Sequence, residues 1–89
     1  MPKRNESERL VADAFHVVVR DEIDRRRGKP DRLSGRKVSQ AISPNNPNLV
    51  ADASARRKLP SLAAILDYAR ALGIGGHELV YRVEKRLQG

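Results

Sequence analysis

The chain has 89 residues, of which 39% are hydrophobic and 3% aromatic, so we expect one small domain with an aliphatic core, and a multidomain enzyme is excluded. The absence of cysteine excludes disulfides and thiolate metal sites and suits the cytoplasm, and no apolar run reaches the roughly 18 to 20 residues that a membrane span needs. The net charge of +7, from 18 Lys and Arg against 11 Asp and Glu, indicates a polyanionic partner.

The first predicted helix begins near Glu6 and ends at the Gly28-Lys29-Pro30 breaker. Apolar residues recur along it at three- and four-residue spacing, which is typical of one face of an α-helix. The residues of this inward face are Leu10, Val11, Ala14, Phe15, Val18, Val19 and Ile23. Ahead of the helix, residues 1–6 are expected to form a flexible basic arm that carries Lys3 and Arg4.

A short second helix is predicted over Gly35–Ile42, with Ser34 as its N-cap. The prolines in the run 43–47 end it, because a residue that precedes proline is pushed away from helical backbone angles. The side chains expected to face inward are Leu33, Val38, Ala41 and Ile42.

The third helix is predicted from Pro47 to about Lys58, with Asn46 as its N-cap and the proline at the first helical position. The side chains expected to face inward are Leu49, Val50 and Ala53. Two short helices across a tight turn predict a helix-turn-helix motif over residues 33–58.

Two further helices complete the predicted domain. Pro60 is expected to open the fourth helix and Gly73 to end it, and the last helix is predicted over residues 77–87. The apolar stripe of the fourth helix, expected to face inward, is Leu62, Ile65, Leu66, Ala69 and Leu72. The last helix is amphipathic, with Leu79, Val80, Val83 and Leu87 on its apolar side. The pattern predicts an all-α fold, in which residues 1–89 form a single compact domain of about five helices.

Several motifs of the chain are shared with a known family. They are a basic run followed by Pro60-Ser61-Leu62, a helix that ends with Ala71-Leu72-Gly73, and Glu78-Leu79 at the start of the last helix. Through them the stretch from Leu33 to Leu79 resembles the λ-repressor/Cro-like, or xenobiotic-response-element, type of helix-turn-helix protein. The resemblance implies a λ-repressor-like helical domain that binds DNA, usually as a dimer.

The chain also departs from the family pattern. Gly35 stands where the family has a Gln that helps to hold a phosphate, and Ser43 stands where it has the Gly of the turn. One residue is also added before Pro60. We place this residue in the turn, because the alternative would bury Asp52 without a partner.

In this family the N-terminus of the third helix enters the major groove, so the residues there are candidates for base contacts. An asparagine amide can pair with adenine, a methyl group can touch thymine, and a carboxylate can accept from cytosine. The candidate base contacts are Asn46, Asn48, Ala51 and Asp52. The alternative interpretation is that asparagines beside proline serve ordinary turn and capping chemistry.

Candidate phosphate contacts lie at the start of the second helix, in the turn, and directly after the third helix. Unpaired N–H groups at a helix start add to the attraction of nearby cations for phosphate. These candidates are Ser34, Arg36, Lys37, Asn45, Arg56, Arg57 and Lys58. For the last three the alternative is a solvated helix end, where cations complement the helix dipole.

A single motif of this size reads few base pairs, so we expect a homodimer on double-stranded DNA. The final helix offers an apolar stripe for the contact, and the candidate dimer residues are Leu79, Val80, Val83 and Leu87. The alternative is that this stripe covers the interior of its own domain.

Together these features predict a sequence-specific DNA-binding transcriptional regulator, a phage or prokaryotic repressor that acts by occupying an operator. The alternatives are an antitoxin-like protein-interaction module and a non-specific architectural nucleic-acid-binding protein. We expect no enzyme, cofactor, metal site or small-molecule substrate, because His16 and His77 are far apart in the chain and no catalytic constellation is present.

Overall fold

The computed structural model describes residues 6–27 and 33–89, and within these two ranges the chain forms five α-helices and no strand. The helices are α1 (Glu6–Arg26), α2 (Gly35–Ile42), α3 (Leu49–Arg56), α4 (Leu62–Leu72) and α5 (Gly76–Gln88). The predicted all-α fold of about five helices is therefore confirmed. None of the described helices combines the length and the apolar character that crossing a bilayer requires. The predicted basic arm with Lys3 and Arg4, and the predicted breaker Gly28-Lys29-Pro30, lie outside the described residues.

The core forms where α1 packs along α5 while α4 contacts α1, α2 and α5. Phe15 of α1, Val38 of α2, Leu72 of α4 and Leu79 of α5 are each almost completely buried. The Phe15 ring meets the ring of Tyr68 edge to face, with the centroids 5.0 Å apart, an arrangement that aromatic pairs favour. This core holds α2, and α3 beside it, against the rest of the domain.

The inward faces differ from the prediction at several positions. Leu10, Leu62 and Leu66 were expected inside, but 50%, 71% and 48% of their surfaces are exposed, and Ala41 is exposed as well. On α4 the covered stripe runs along Ile65, Ala69 and Leu72 and is narrower than the apolar pattern, so Leu62 and Leu66 fall outside it. Conversely α1 buries a wider face than predicted, and Ala12, His16 and Glu22 are inside.

Two helix starts also differ from the prediction. α3 begins at Leu49 rather than Pro47, because Pro47 and Asn48 form a turn and the Asn48 carbonyl accepts the first helical bond, from the Asp52 N–H at 2.8 Å. The Asn46 side chain does not cap α3; its Oδ1 accepts from the Asn48 N–H at 3.3 Å and stabilises the turn.

α4 begins at Leu62 rather than at Pro60. The Ser61 hydroxyl accepts a hydrogen bond of 3.1 Å from the Ala64 N–H and so forms the N-cap. The other predicted caps are confirmed, since the Ser34 hydroxyl accepts from the Lys37 N–H at the start of α2 and Gly73 ends α4 with φ of 75°.

Candidate nucleic-acid interface

The position of α3 is fixed by a buried hydroxyl on α2. Ser39 is fully buried; its Oγ donates to the Gly35 carbonyl at 2.7 Å and accepts from the Val50 N–H at 2.9 Å. The Val50 N–H is one of the first donors of α3, which have no partner within their own helix. α2 thus supplies a cap for α3 across a connection, residues 43–48, that is longer than the roughly three- to four-residue turn of a helix-turn-helix.

The four candidate base contacts lie on the surface at the start of α3. Asn46, Asn48, Ala51 and Asp52 are all exposed. Asn48 is the N-cap residue by position, yet its side chain makes no capping hydrogen bond, whereas that of Asn46 is used in the turn. Of the two asparagines, Asn48 therefore has the amide that is better placed to pair with a base edge.

The candidate phosphate contacts lie around α2 and α3. Arg36, Lys37, Asn45, Arg56, Arg57 and Lys58 are exposed and Ser34 is half-buried. The Ser34 hydroxyl accepts the capping hydrogen bond from Lys37, at 3.1 Å, which leaves its hydrogen to donate. These side chains could bind several phosphates along a backbone, because they are spread over both ends of the helix pair.

One cleft of about 270 Å³, here called the α3 cleft, brings several of these groups together. Arg36 from α2 and Asn48 and Ala51 from the start of α3 line it. The other base and phosphate candidates do not line it: Ser34, Lys37, Asn45, Asn46, Asp52, Arg56, Arg57 and Lys58. Among the predicted candidates, the α3 cleft therefore brings together one cation, one amide and one methyl group.

Arg20 of α1 also lines the α3 cleft and was not among the candidate site residues. It is exposed and borders a second cleft of about 230 Å³, here called the Arg57 cleft, together with Asp13, Ser54 and Arg57. Arg20 thus shares one cleft with Arg36 and another with Arg57. The sequence does contain a pattern that could have pointed to Arg20: Asp13, His16 and Arg20 recur at helical spacing and so form a polar face on α1.

The chain leaves α3 through an unusual backbone conformation at Arg57. Its φ of 51° is the one positive value among the described residues other than glycine, and such values are uncommon for a residue with a side chain. The Arg57 guanidinium lies 3.5 Å from Asp13 Oδ1, and 70% of its side chain is exposed. A pair this exposed is weak, so a phosphate could compete with Asp13 for Arg57.

The predicted dimer stripe divides between the core and the surface. Leu79 is fully buried and Val83 is 8% exposed, whereas Val80 is 47% and Leu87 44% exposed. Leu79 and Val83 pack inside their own domain, as the alternative interpretation expected, and only Val80 and Leu87 remain accessible to a partner.

The exposed members of the stripe continue onto α4. Leu66 Cδ2 lies so close to Gly76 that a Cβ there would be 2.7 Å from it, and Val80 follows Gly76 by one turn of α5. Leu62 precedes Leu66 by one turn of α4. We call Leu62, Leu66, Val80 and Leu87 the α4–α5 apolar face.

A further cleft of about 330 Å³ lies on the side of α3 away from the candidate base contacts, none of which lines it. Tyr68 is in its wall, and the buried Tyr68 hydroxyl has no hydrogen-bond partner in the described part of the chain. Burial raises the pKa of Tyr68. In the same two ranges no three His, Asp or Glu side chains converge as metal ligands would.

Comparisons of the chain with protein-family models, with curated proteins and with solved structures give no match. The resemblance to the λ-repressor/Cro-like family therefore stays a prediction from the motifs. The functional interpretation depends on those motifs and on the geometry around α3.

Proposed function

We propose that this protein is a sequence-specific DNA-binding transcriptional regulator, which represses by occupying an operator as phage and prokaryotic repressors do. The observation that carries the proposal is the α3 cleft, where Arg36, Asn48 and Arg20 from three different elements border one opening. An amide that shares a cleft with two cations suits a surface that contacts a base edge while phosphates hold it in place. Such a role places the protein in the cytoplasm, on DNA.

The start of α3 supplies groups that can distinguish bases. The Asn48 amide can both donate and accept, and adenine presents the matching acceptor and donor in the major groove. The Ala51 methyl lies in the same cleft and suits the thymine methyl. Asp52 is exposed beside them, and its carboxylate would repel phosphate, so it favours a cytosine amino group.

Cations that line the two clefts supply attraction that does not depend on sequence. Arg36 lines the α3 cleft, Arg57 lines the Arg57 cleft, and Arg20 lines both. Each cation that neutralises a phosphate releases counterions, which makes binding strongly dependent on salt. The net charge of +7 adds long-range attraction to the same partner.

Selection of bound duplexes from a random library at near-physiological salt tests the proposal. We expect a consensus, and a selected duplex bound on the order of 10³-fold more tightly than its scrambled version. Equal affinity for both would favour the architectural alternative. A folded chain that binds no duplex would overturn DNA binding and favour the protein-interaction alternative.

We further propose that two copies bind one operator and contact each other through the α4–α5 apolar face. Val80, Leu66 and Leu62 support this, because three large apolar side chains on adjacent helices are exposed and large exposed apolar patches mark interaction sites. A second copy is the occupant we favour, since one α3 reads too few base pairs for useful discrimination. The number of chains bound per selected duplex tests this proposal.

A further inference from the structure

His16 of α1 holds the chain just after α3. Only 6% of the residue is exposed, and its Nε2 lies 2.7 Å from the Lys58 carbonyl oxygen, across 42 residues of sequence. Because a carbonyl can only accept, Nε2–H of His16 is the donor. The Phe15 ring packs edge to face against the imidazole, with centroids 5.2 Å apart.

The segment that His16 holds contains Arg57, the one described residue other than glycine with a positive φ. Arg57 adopts the left-handed conformation that usually requires glycine, and the turn closes through the Arg57 N–H to Ser54 and the Lys58 N–H to Ala53, both at 3.1 Å. Strained conformations persist where the surroundings enforce them, and they cluster at functional sites. His16 makes a buried tertiary contact with Lys58, the residue that directly follows Arg57.

A second contact from the same face of α1 acts on the same segment. Asp13 precedes His16 by about one helical turn, and its carboxylate lies 3.5 Å from the Arg57 guanidinium. α1 therefore holds the backbone at Lys58 firmly, whereas Asp13 contacts the Arg57 side chain only weakly and leaves its cationic head group largely exposed. Fixing a segment in advance reduces the entropy lost when its side chains bind.

We propose that His16 is a positioning residue of the DNA interface, which orders Arg57 and Lys58 for phosphate contact. His16 also lines the α3 cleft and the Arg57 cleft, but at 6% exposure it acts through its hydrogen bond to the Lys58 carbonyl and not through a contact of its own with DNA. The inference rests on the proposed function. It assigns a role to a buried histidine that an interpretation as core packing would not give, since the partner of His16 is the backbone carbonyl of Lys58, a candidate phosphate contact that directly follows Arg57.

A matched pair of substitutions tests the role. In His16→Gln the amide nitrogen reaches about as far as Nε2 and can still donate to Lys58, whereas in His16→Asn it ends near the position of Nδ1 and cannot. We expect His16→Asn to bind selected and scrambled duplexes about tenfold more weakly with unchanged base preference, and its slope of log K against log salt to be shallower by about 1. His16→Gln is expected to stay within about twofold of wild type.

A double-mutant cycle separates positioning from general destabilisation. In a chain with Arg57→Ala and Lys58→Ala, His16→Asn should change affinity by less than about twofold, because the groups through which it acts are gone. An undiminished effect in that background, or a salt slope that His16→Asn leaves unchanged, overturns the inference. If His16→Asn shows no cooperative thermal unfolding, His16→Leu replaces it in the same cycle. A wild-type chain that binds no duplex overturns the proposed function together with this inference, whereas the other outcomes concern His16 alone.

Discussion

The Glu22 carboxylate of α1 accepts a hydrogen bond of 2.6 Å from Nη1 of Arg82 on α5, across 60 residues of sequence. The same carboxylate accepts from Arg25 Nη2 at 2.7 Å and lies 2.8 Å from Arg26 Nε, although only 3% of Glu22 is exposed. Burying a charge is unfavourable unless it is paired and hydrogen-bonded. The three guanidinium groups therefore keep Glu22 ionised, and Arg82 ties α1 to α5.

Glu22→Gln is expected to destabilise the fold, because it leaves these guanidinium groups without their counter-charge. Removing one partner of a fully buried pair costs about 3–5 kcal/mol. Arg25 is mostly and Arg82 partly exposed, so we expect a smaller loss, about 2 kcal/mol. Urea unfolding measures the change in the free energy of unfolding, and Asp24→Asn is the control. Asp24 and Arg27 form an exposed ion pair at 3.4 Å, and removing this pair should lower the free energy of unfolding by less than about 0.5 kcal/mol.

The same cluster predicts a dependence of stability on pH. Burial alone raises the pKa of Glu22, but the hydrogen bonds and charges of Arg25 and Arg82 outweigh it, and the net pKa lies below the usual 4.5. A carboxyl with a lowered folded-state pKa stabilises fully above its unfolded value and loses this contribution as pH falls through the folded pKa. The free energy of unfolding should therefore fall below about pH 5 in wild type and less steeply in Glu22→Gln. Identical pH profiles would contradict this account.

Ser39→Ala tests the cap that α2 supplies to α3. The change removes the fully buried Ser39 hydroxyl and leaves the part-buried Val50 N–H without its partner, which costs about 1–3 kcal/mol. Ser61→Ala is the matched control, because it removes the hydroxyl that caps α4 at an exposed position and should cost about 1 kcal/mol. Thermal unfolding compares the stabilities of the two variants. If Ser39→Ala lost no more stability than Ser61→Ala, the buried hydroxyl would add nothing beyond an ordinary cap.

The helices could be predicted because their signals are local. Ser34 and Gly73 act within a few residues of themselves, and the spacing of Ile65, Ala69 and Leu72 is visible in the sequence. His16, Glu22 and Ser39 could not be assigned, because their partners lie 42, 60 and 11 residues away. Periodicity shows which residues share a helix face but not how much of that face a neighbour covers.

The approach of Arg20 to α3 was not predicted, because it depends on the packing of α1, which no local pattern sets. We expect Arg20→Ala to weaken binding to every duplex alike and to make the salt slope shallower by about 1, since it removes a phosphate contact. Arg70→Ala is the control: Arg70 is exposed on α4 and lines none of the clefts beside α3. The two variants have equal net charge, so an equal loss of DNA affinity in both would exclude a local role for Arg20.

Asn48→Ala should weaken binding to the selected duplex by roughly 1–3 kcal/mol and relax the preference at one base position. Arg57→Ala should instead weaken selected and scrambled duplexes alike. Titration of both duplexes at several salt concentrations separates the two effects. If Asn48→Ala reduced both affinities equally, Asn48 would be a backbone contact and the assignment of the base-contact role would be wrong.

Val80→Glu tests the contact between copies without disturbing the core. Val80 is 47% exposed, whereas Val83 on the same helix is 8% exposed, so Val83→Glu would place an unpaired carboxylate in the interior and unfold the domain. Val80→Glu should melt within a few degrees of wild type and yet bind the selected duplex with lost cooperativity, because two facing glutamates would repel across a symmetric contact.

Gln88→Glu adds the same charge near the end of α5, at an exposed position outside the α4–α5 apolar face, and should leave cooperativity intact. Stoichiometry from native mass spectrometry on the duplex, with melting curves of the free proteins, checks both variants. One chain per site in the wild type, or two chains with undiminished cooperativity in Val80→Glu, would mean that this face does not join the copies.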